Sequence, residues 1–115
     1  MITIEKKLRL PDTYPLERIG KLEDLLFFDI ETTGFSGDYA SVYLIGCTYY
    51  KDNTWNLIQW FADTRAAEED LLHHFFKFLE QYKTLVHFNG DGFDIPFLLK
   101  RCKHFNLPYS FDNVA

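Results

Sequence analysis

The 115-residue sequence is poor in the features that mark secreted, membrane-spanning or nucleic-acid-coating proteins. It has two cysteines, Cys47 and Cys102. Two cannot build a disulfide framework, and both fit buried thiols of a reducing compartment. No run approaches the ~20 apolar residues that a membrane span requires. The start, Met1 to Leu10, alternates apolar and charged residues where a signal peptide would have a continuous apolar core. Positive charge is also scarce: twelve Lys and Arg face seventeen Asp and Glu, a net charge of −5. Proteins that coat nucleic acid non-specifically are usually basic, so a chromatin-like coat is excluded, while an enzyme with a local basic strip is not. There is no internal repeat and no low-complexity tract. These absences leave a cytoplasmic domain with no membrane partner as the expectation.

Aromatic side chains, by contrast, are plentiful: twelve Phe, seven Tyr and two Trp make up 18% of the chain. The core must be built largely from rings. A chain of this length suits one domain and buries roughly two-thirds of its surface on folding. Residues 1–24 contain Pro11, Pro15 and Gly20 without a sustained period and read as an N-terminal extension; residues 25–115 read as the domain.

Leu25 to Ile30 is a nearly unbroken apolar run, as expected of a strand buried on both faces. Thr32 to Asp38 holds two Gly and a Ser and reads as a loop. Ser41 to Tyr50 and Thr54 to Trp60 are rich in β-branched and aromatic residues, and Lys51-Asp52-Asn53 between them is a hairpin turn. After Phe61 the period changes. Leu71, Leu72, Phe75, Phe76, Phe78, Leu79 and Tyr82 recur at helical spacing, with Asp63 or Thr64 as the cap. Glu68, Glu69 and Asp70 suit the positive end of that helix, and Lys77 and Lys83 its negative end. Leu85 to Phe88 reads as a short strand and Asn89-Gly90-Asp91-Gly92 as a turn. Pro96 fits the first turn of a second helix running to about His104.

Asp29 and Glu31 carry the first chemistry. Residues two apart on a strand share a face, so both carboxylates emerge together, while Ile30 points into the core. Two acids so placed repel unless a cation sits between them, and a hard divalent ion with oxygen ligands is the natural choice. Water-facing strand-end acids are the plain alternative. Asp94 follows a Gly-rich turn at a helix start, where capping alone would explain a carboxylate. Its preceding strand would lie beside Leu25 to Ile30, and the carboxyl ends of neighbouring strands form the usual site crevice. All three acids would then meet.

Asp29-Ile30-Glu31-Thr32-Thr33-Gly34-Phe35 resembles the first motif of the DEDD 3′-5′ exonucleases of the ribonuclease H-like superfamily. His87-Phe88-Asn89-Gly90-Asp91-Gly92-Phe93-Asp94-Ile95-Pro96-Phe97-Leu98 resembles their second. The similarity is greatest to bacterial ribonuclease H-like exonuclease-domain proteins, with the proofreading domain of B-family polymerases more distant; it covers Leu25 to Cys102. It implies an α/β, three-layer ribonuclease H-like fold: a mixed sheet with an antiparallel hairpin, here without its last strand and helix. It implies two divalent cations, Mg²⁺ or Mn²⁺, held by Asp29, Glu31 and Asp94 as the catalytic and metal-binding acids, with Asp29 shared between the ions. It further implies that Thr32, Thr33, Gly34, Phe35, Asn89 and Phe93 bind the 3′ end of single-stranded DNA or RNA, Phe35 wedging against a base.

One part of the family pattern is missing. A fourth carboxylate, four or five residues after a Tyr or His in a later motif, has no counterpart. Tyr109 and Asp112 are three apart and follow the second motif too closely, so Asp112 reads as a turn acid. No general base is evident. The 115-residue chain by itself is therefore expected to be inactive or impaired, with an exposed sheet edge open to self-association.

Other clusters are weaker. His73 and His74 are adjacent on a helix and diverge. His87, Cys102 and His104 lack zinc spacing. Lys100, Arg101, Lys103 and His104 form a basic helix end that suits the dipole or receives phosphates. Two rivals stand beside the nuclease: a non-catalytic nucleic-acid-binding or protein-interaction module with the same fold, and a phosphotransferase or integrase-like member of the superfamily, which would need a downstream Glu.

Overall fold

The computed structural model describes residues 1–8, 21–87, 92–112 and 114. Seven elements carry the fold: β1 (Ile2–Leu8), β2 (Leu25–Thr32), β3 (Val42–Lys51), β4 (Thr54–Phe61), α1 (Glu68–Leu79), β5 (Thr84–Val86) and α2 (Asp94–His104). The strands form one mixed sheet in the order β1-β4-β3-β2-β5. Its β2–β3, β3–β4 and β1–β4 pairs are antiparallel, and β2–β5 is parallel. The expected strand, hairpin, helix, strand, helix order is therefore present from β2 onward. The N-terminal extension also contributes to the sheet, since Ile2–Leu8 pairs along β4 from Ile2 opposite Phe61 to Leu8 opposite Trp55.

The hairpin closes as its sequence requires. Asp52 and Asn53 both have positive φ, 55° and 63°, between the paired Lys51 and Thr54. A two-residue turn of that hand matches the twist of the flanking strands, and Asp and Asn tolerate it.

A bulge sits where β3 passes the end of β2. Glu31 lies opposite Leu44 but Thr32 lies opposite Val42, so Tyr43 is the extra residue. Strand alternation alone would place Val42 and Ile45 on opposite faces. The inserted residue brings both into the core, where each is fully buried.

One face of the sheet carries the core. Leu26, Phe28, Ile30, Ile45, Cys47, Ile58 and Trp60 pack there against Leu71, Leu72, Phe75, Phe76 and Leu79 of α1 and Phe97, Leu98 and Cys102 of α2. Of the three layers expected, the described residues supply two, a sheet and one helical layer. Rings supply much of the contact: Phe28 stacks on Phe75, and Tyr49 and Trp60 each meet Phe78 edge-on. Both cysteines are buried free thiols, and burial pushes the Cys102 thiol up to about 11. Among the described residues no helix is long and apolar enough to cross a membrane.

The cap expected of Asp63 or Thr64 does not form. A short 3-10 turn, Arg65–Ala67, precedes α1, and neither it nor α1 has a side-chain cap. The Asp63 carboxylate instead meets the Met1 amino terminus at 3.0 Å, an opposite charge outcompeting a neutral N–H.

Candidate active site

Strand alternation places Asp29 and Glu31 as the sequence requires. Ile30 is buried in the core, and both acids are exposed on the other face of β2. There they border a shallow groove of about 360 Å³ with Phe27, Leu44, Thr48, Leu57 and Gln59. Asp29 Oδ1 accepts the Ile30 backbone N–H at 2.9 Å.

Asp94 is the first residue of α2 and is buried at 6% exposure. The helix makes no side-chain cap hydrogen bond at this end, so capping does not account for the carboxylate. Its Oδ2 atom is enclosed and has no hydrogen-bond partner among the described residues. Burial, the Asp29 charge and, more weakly, the Glu31 charge push its carboxyl up to about 6, with His87 pulling the other way. Asp94 therefore feels both strand acids, in keeping with an edge shared by the carboxyl ends of β2 and β5.

A buried carboxylate oxygen without a partner among the described residues, together with two further acids whose charges it feels, would make an oxygen-only donor set with excess negative charge. That chemistry fits a hard divalent cation, which would supply the missing partner and relieve the repulsion. Among the described residues no group of three or more His, Cys, Asp or Glu stands together tightly enough to share an ion. Asp29 would exchange its bond to Ile30 for such an ion.

The expected substrate residues divide. Thr32 Oγ1 donates to the Gly34 carbonyl at 2.6 Å, and Thr33 Oγ1 accepts the Ser41 N–H at 2.9 Å, so both hydroxyls hold the loop after β2. A Cβ on Gly34 would meet that of Ala40 at 3.1 Å. Phe35 is 95% exposed. Phe93 is half-buried and packs against the Phe97 ring. Asn89 lies outside the described residues.

The basic helix end turns out to be partly internal. Arg101 is buried and grips both Glu68 oxygens, Nε to Oε2 at 2.8 Å and Nη2 to Oε1 at 2.6 Å. Its Nη1 donates to the Gly37 carbonyl at 3.2 Å, and Lys100 pairs with Asp38 at 3.2 Å. Glu68 also accepts the Val42 N–H at 2.8 Å. Sequence reading missed this anchor because Glu68 and Arg101 each satisfied a helix-dipole rule. Tyr109 is structural: its hydroxyl bonds His73 Nδ1 at 2.6 Å and its ring stacks on Phe76. Asp112 is exposed on a turn, as expected.

A family model described as the RNase H superfamily matches residues 26–114. The chain belongs to the ribonuclease H superfamily. DNA polymerases are among its curated relatives. One from Pyrococcus glycovorans is 28% identical over 102 residues, covering 81% of this chain and 13% of that protein. Those from Thermococcus litoralis and Thermococcus kodakarensis are 29% and 26% identical, covering 77% and 84% of this chain and 6% of each polymerase. The chain thus spans a small part of these relatives. The solved family B DNA polymerase of the archaeon Pyrobaculum calidifontis shares the fold, with a TM-score of 0.61 at 21% identity over 73% of this chain and 11% of that one. The ribonuclease H-like fold expected from the two motifs is the one observed.

Proposed function

We propose that this domain serves a metal-dependent 3′-5′ exonuclease, hydrolysing phosphodiester bonds at the 3′ end of single-stranded DNA or RNA in the cytoplasm. The observation that carries the reading is the enclosed Asp94 Oδ2, without a partner and pressed by Asp29 and Glu31. Relatives that are DNA polymerases support a nucleic-acid substrate.

Asp29, Glu31 and Asp94 would hold two divalent ions, Mg²⁺ or Mn²⁺, together with a fourth acid not found in these residues. Such ions, when bound, polarise phosphoryl oxygens and make water nucleophilic near neutral pH. The chain's own contribution is placement. Strand β2 fixes two carboxylates on one face, and α2 delivers the third at its N-terminal end. Above pH 6, Asp94 loses its proton and becomes available as a ligand. The Thr32–Gly34 and Thr33–Ser41 bonds keep the following loop in a fixed shape beside the acids.

The test has two arms. Mn²⁺ at a hundred times its Kd should stabilise the protein against unfolding by about 2.7 kcal/mol, and Asp29→Asn or Asp94→Asn should remove that gain. In the whole protein, Asp29→Ala or Glu31→Ala should abolish Mg²⁺- or Mn²⁺-dependent release of nucleoside monophosphates from a labelled single strand. Unfolding that ignores divalent cations, or hydrolysis that survives these substitutions, would sink the metal reading. The bond from Ile30 to Asp29, and the lack of an ion-sized cluster among the described residues, support a second reading. A non-catalytic module of the same fold would bind single strands equally well in EDTA and never cleave them. Sheet edges β1 and β5 are the places for self-association, which the mass in solution reads.

A further inference from the structure

Among the described residues five large apolar side chains are exposed, and they differ sharply in degree. Ile2, Ile4 and Leu99 lie between 38% and 46%, whereas Phe35 and Tyr39 reach 95% and 93%. Both rings stand on the loop that follows Asp29 and Glu31. A ring on a slack loop would fold back onto nearby apolar surface, because burying it is worth a few kcal/mol.

This loop is not slack. Its neck is closed by paired bonds between Thr33 and Ser41, each 2.9 Å. The Ser36 carbonyl accepts the Tyr39 and Ala40 N–H groups at 3.2 and 2.8 Å, making a tight turn. Arg101 holds the Gly37 carbonyl, and a Cβ on Gly37 would stand 2.8 Å from that of Lys100, so the turn rests directly on α2. Phe35 directly precedes that turn and Tyr39 belongs to it. Ser36, Gly37 and Asp38 separate the rings with polar chain, unlike the contiguous apolar patch of a protein interface.

The charge beside Tyr39 points the same way. Tyr39 lines a groove of about 570 Å³ whose walls include Asp38, Asp63, Glu68, Arg65, Arg101 and His104. Each acid there has a cation of its own: Lys100 for Asp38, the amino terminus for Asp63, Arg101 for Glu68. Arg65 is exposed and has no acidic partner among the described residues. The uncompensated charge of this groove is positive in a chain of net charge −5.

We infer that Tyr39 is a second base-stacking platform, beside Phe35, for single-stranded nucleic acid running to the carboxylate site, with Arg65 meeting its phosphates. The inference rests on the exonuclease reading and extends it to a strand of several nucleotides. Stacking on a ring is tolerant of sequence and strengthens binding substantially per base.

The experiment is fluorescence anisotropy of ten-nucleotide oligo-dT and oligo-U with the protein in EDTA, alongside thymidine monophosphate as competitor. Tyr39→Ala should weaken oligonucleotide binding by about 5- to 100-fold, leave competition by the mononucleotide unchanged, and leave the melting temperature unchanged because the ring is exposed. Tyr39→Phe should bind as wild type. Arg65→Gln should lower the salt slope of log K by about 0.7. Equal losses with DNA and RNA identify base stacking; a loss confined to one identifies the physiological strand. Undiminished binding by Tyr39→Ala, or equal losses with Ala and Phe, overturns the inference while sparing the metal site. Absence of oligonucleotide binding by the wild type in EDTA overturns the inference and leaves the metal-dependent reading to its own test. Weakened binding by Tyr39→Ala, with no cleavage by the whole protein under any cation, upholds the platform and drops the exonuclease.

Discussion

Glu68 and Asp94 are both acids at helix starts and both buried, at 2% and 6% exposure, yet their surroundings are opposite. Glu68 has two bonds from the Arg101 guanidinium and one from the Val42 N–H. Asp94 has an enclosed oxygen with no donor among the described residues, and its charged neighbours include Asp29 and Glu31. A charge taken out of water must be compensated, and the fold does so for the first acid within its own chain. For the second it does not. Glu68 is thus a carboxylate that builds the fold, whereas Asp94 is one whose charge the described residues leave uncompensated. Burial alone would not have told them apart.

The largest effect should come from breaking the compensated member. Arg101→Met leaves Glu68 buried without its cation and the Gly37 carbonyl without its donor. The expected loss is about 3–5 kcal/mol, read from urea unfolding. The paired change Glu68→Leu with Arg101→Met should recover part of it, since the unpaired buried charge is gone while the Val42 N–H and the Gly37 carbonyl stay without partners. If Arg101→Met alone costs under about 1 kcal/mol, the pair behaves as a surface contact and the contrast with Asp94 collapses.

A smaller effect tests whether the compensated pair also holds the loop beside the site. Gly37→Ala drives a methyl to 2.8 Å from the Lys100 Cβ and 3.1 Å from the Phe97 carbonyl. Overpacking of this kind costs about 1–3 kcal/mol. The loop must lift from α2 to admit the methyl, so oligonucleotide binding should fall together with stability. Stability lost with binding unchanged would show that the anchor serves the fold alone.

What could be read from the sequence was what short stretches decide. The left-handed Asp52-Asn53 turn, the shared face of Asp29 and Glu31, and the limits of α2 all follow from steric and periodic rules over a few residues. What could not be read depended on distant partners. The alternation of Met1–Leu10 spoke only against a signal peptide, and nothing local says that this segment forms a strand or that β1 pairs with β4. The Tyr43 bulge needs the register of two strands. Glu68 and Arg101 looked like dipole charges because their meeting requires α1 and α2 to be packed already. The Thr32 and Thr33 hydroxyls fit a substrate motif, yet in the structure both close the loop. The three acids were legible as a motif, but the buried, partnerless state of Asp94 came only with the fold.

The smallest effect probes the uncompensated member through pH. The Asp94 carboxyl sits at about 6 in the folded protein against an ordinary value of 3.8. Between those values the folded chain binds more protons than the unfolded one, so stability falls as pH rises from about 4 to about 6 and then levels off. The proton's contribution is complete below the ordinary value and is lost as pH passes through the folded one. Asp94→Asn carries no such titration. Subtracting its urea-unfolding profile from that of the wild type cancels the other carboxylates. Without divalent cations the Asn protein should be more stable at pH 7 by about 1 kcal/mol, solvent at the exposed Asp29 and Glu31 screening part of the repulsion. The two profiles should converge below pH 4. Saturating Mn²⁺ should reverse their order at pH 7, because only the wild type gains the missing partner for Oδ2. Profiles that coincide at every pH would mean that Asp94 is as well compensated as Glu68.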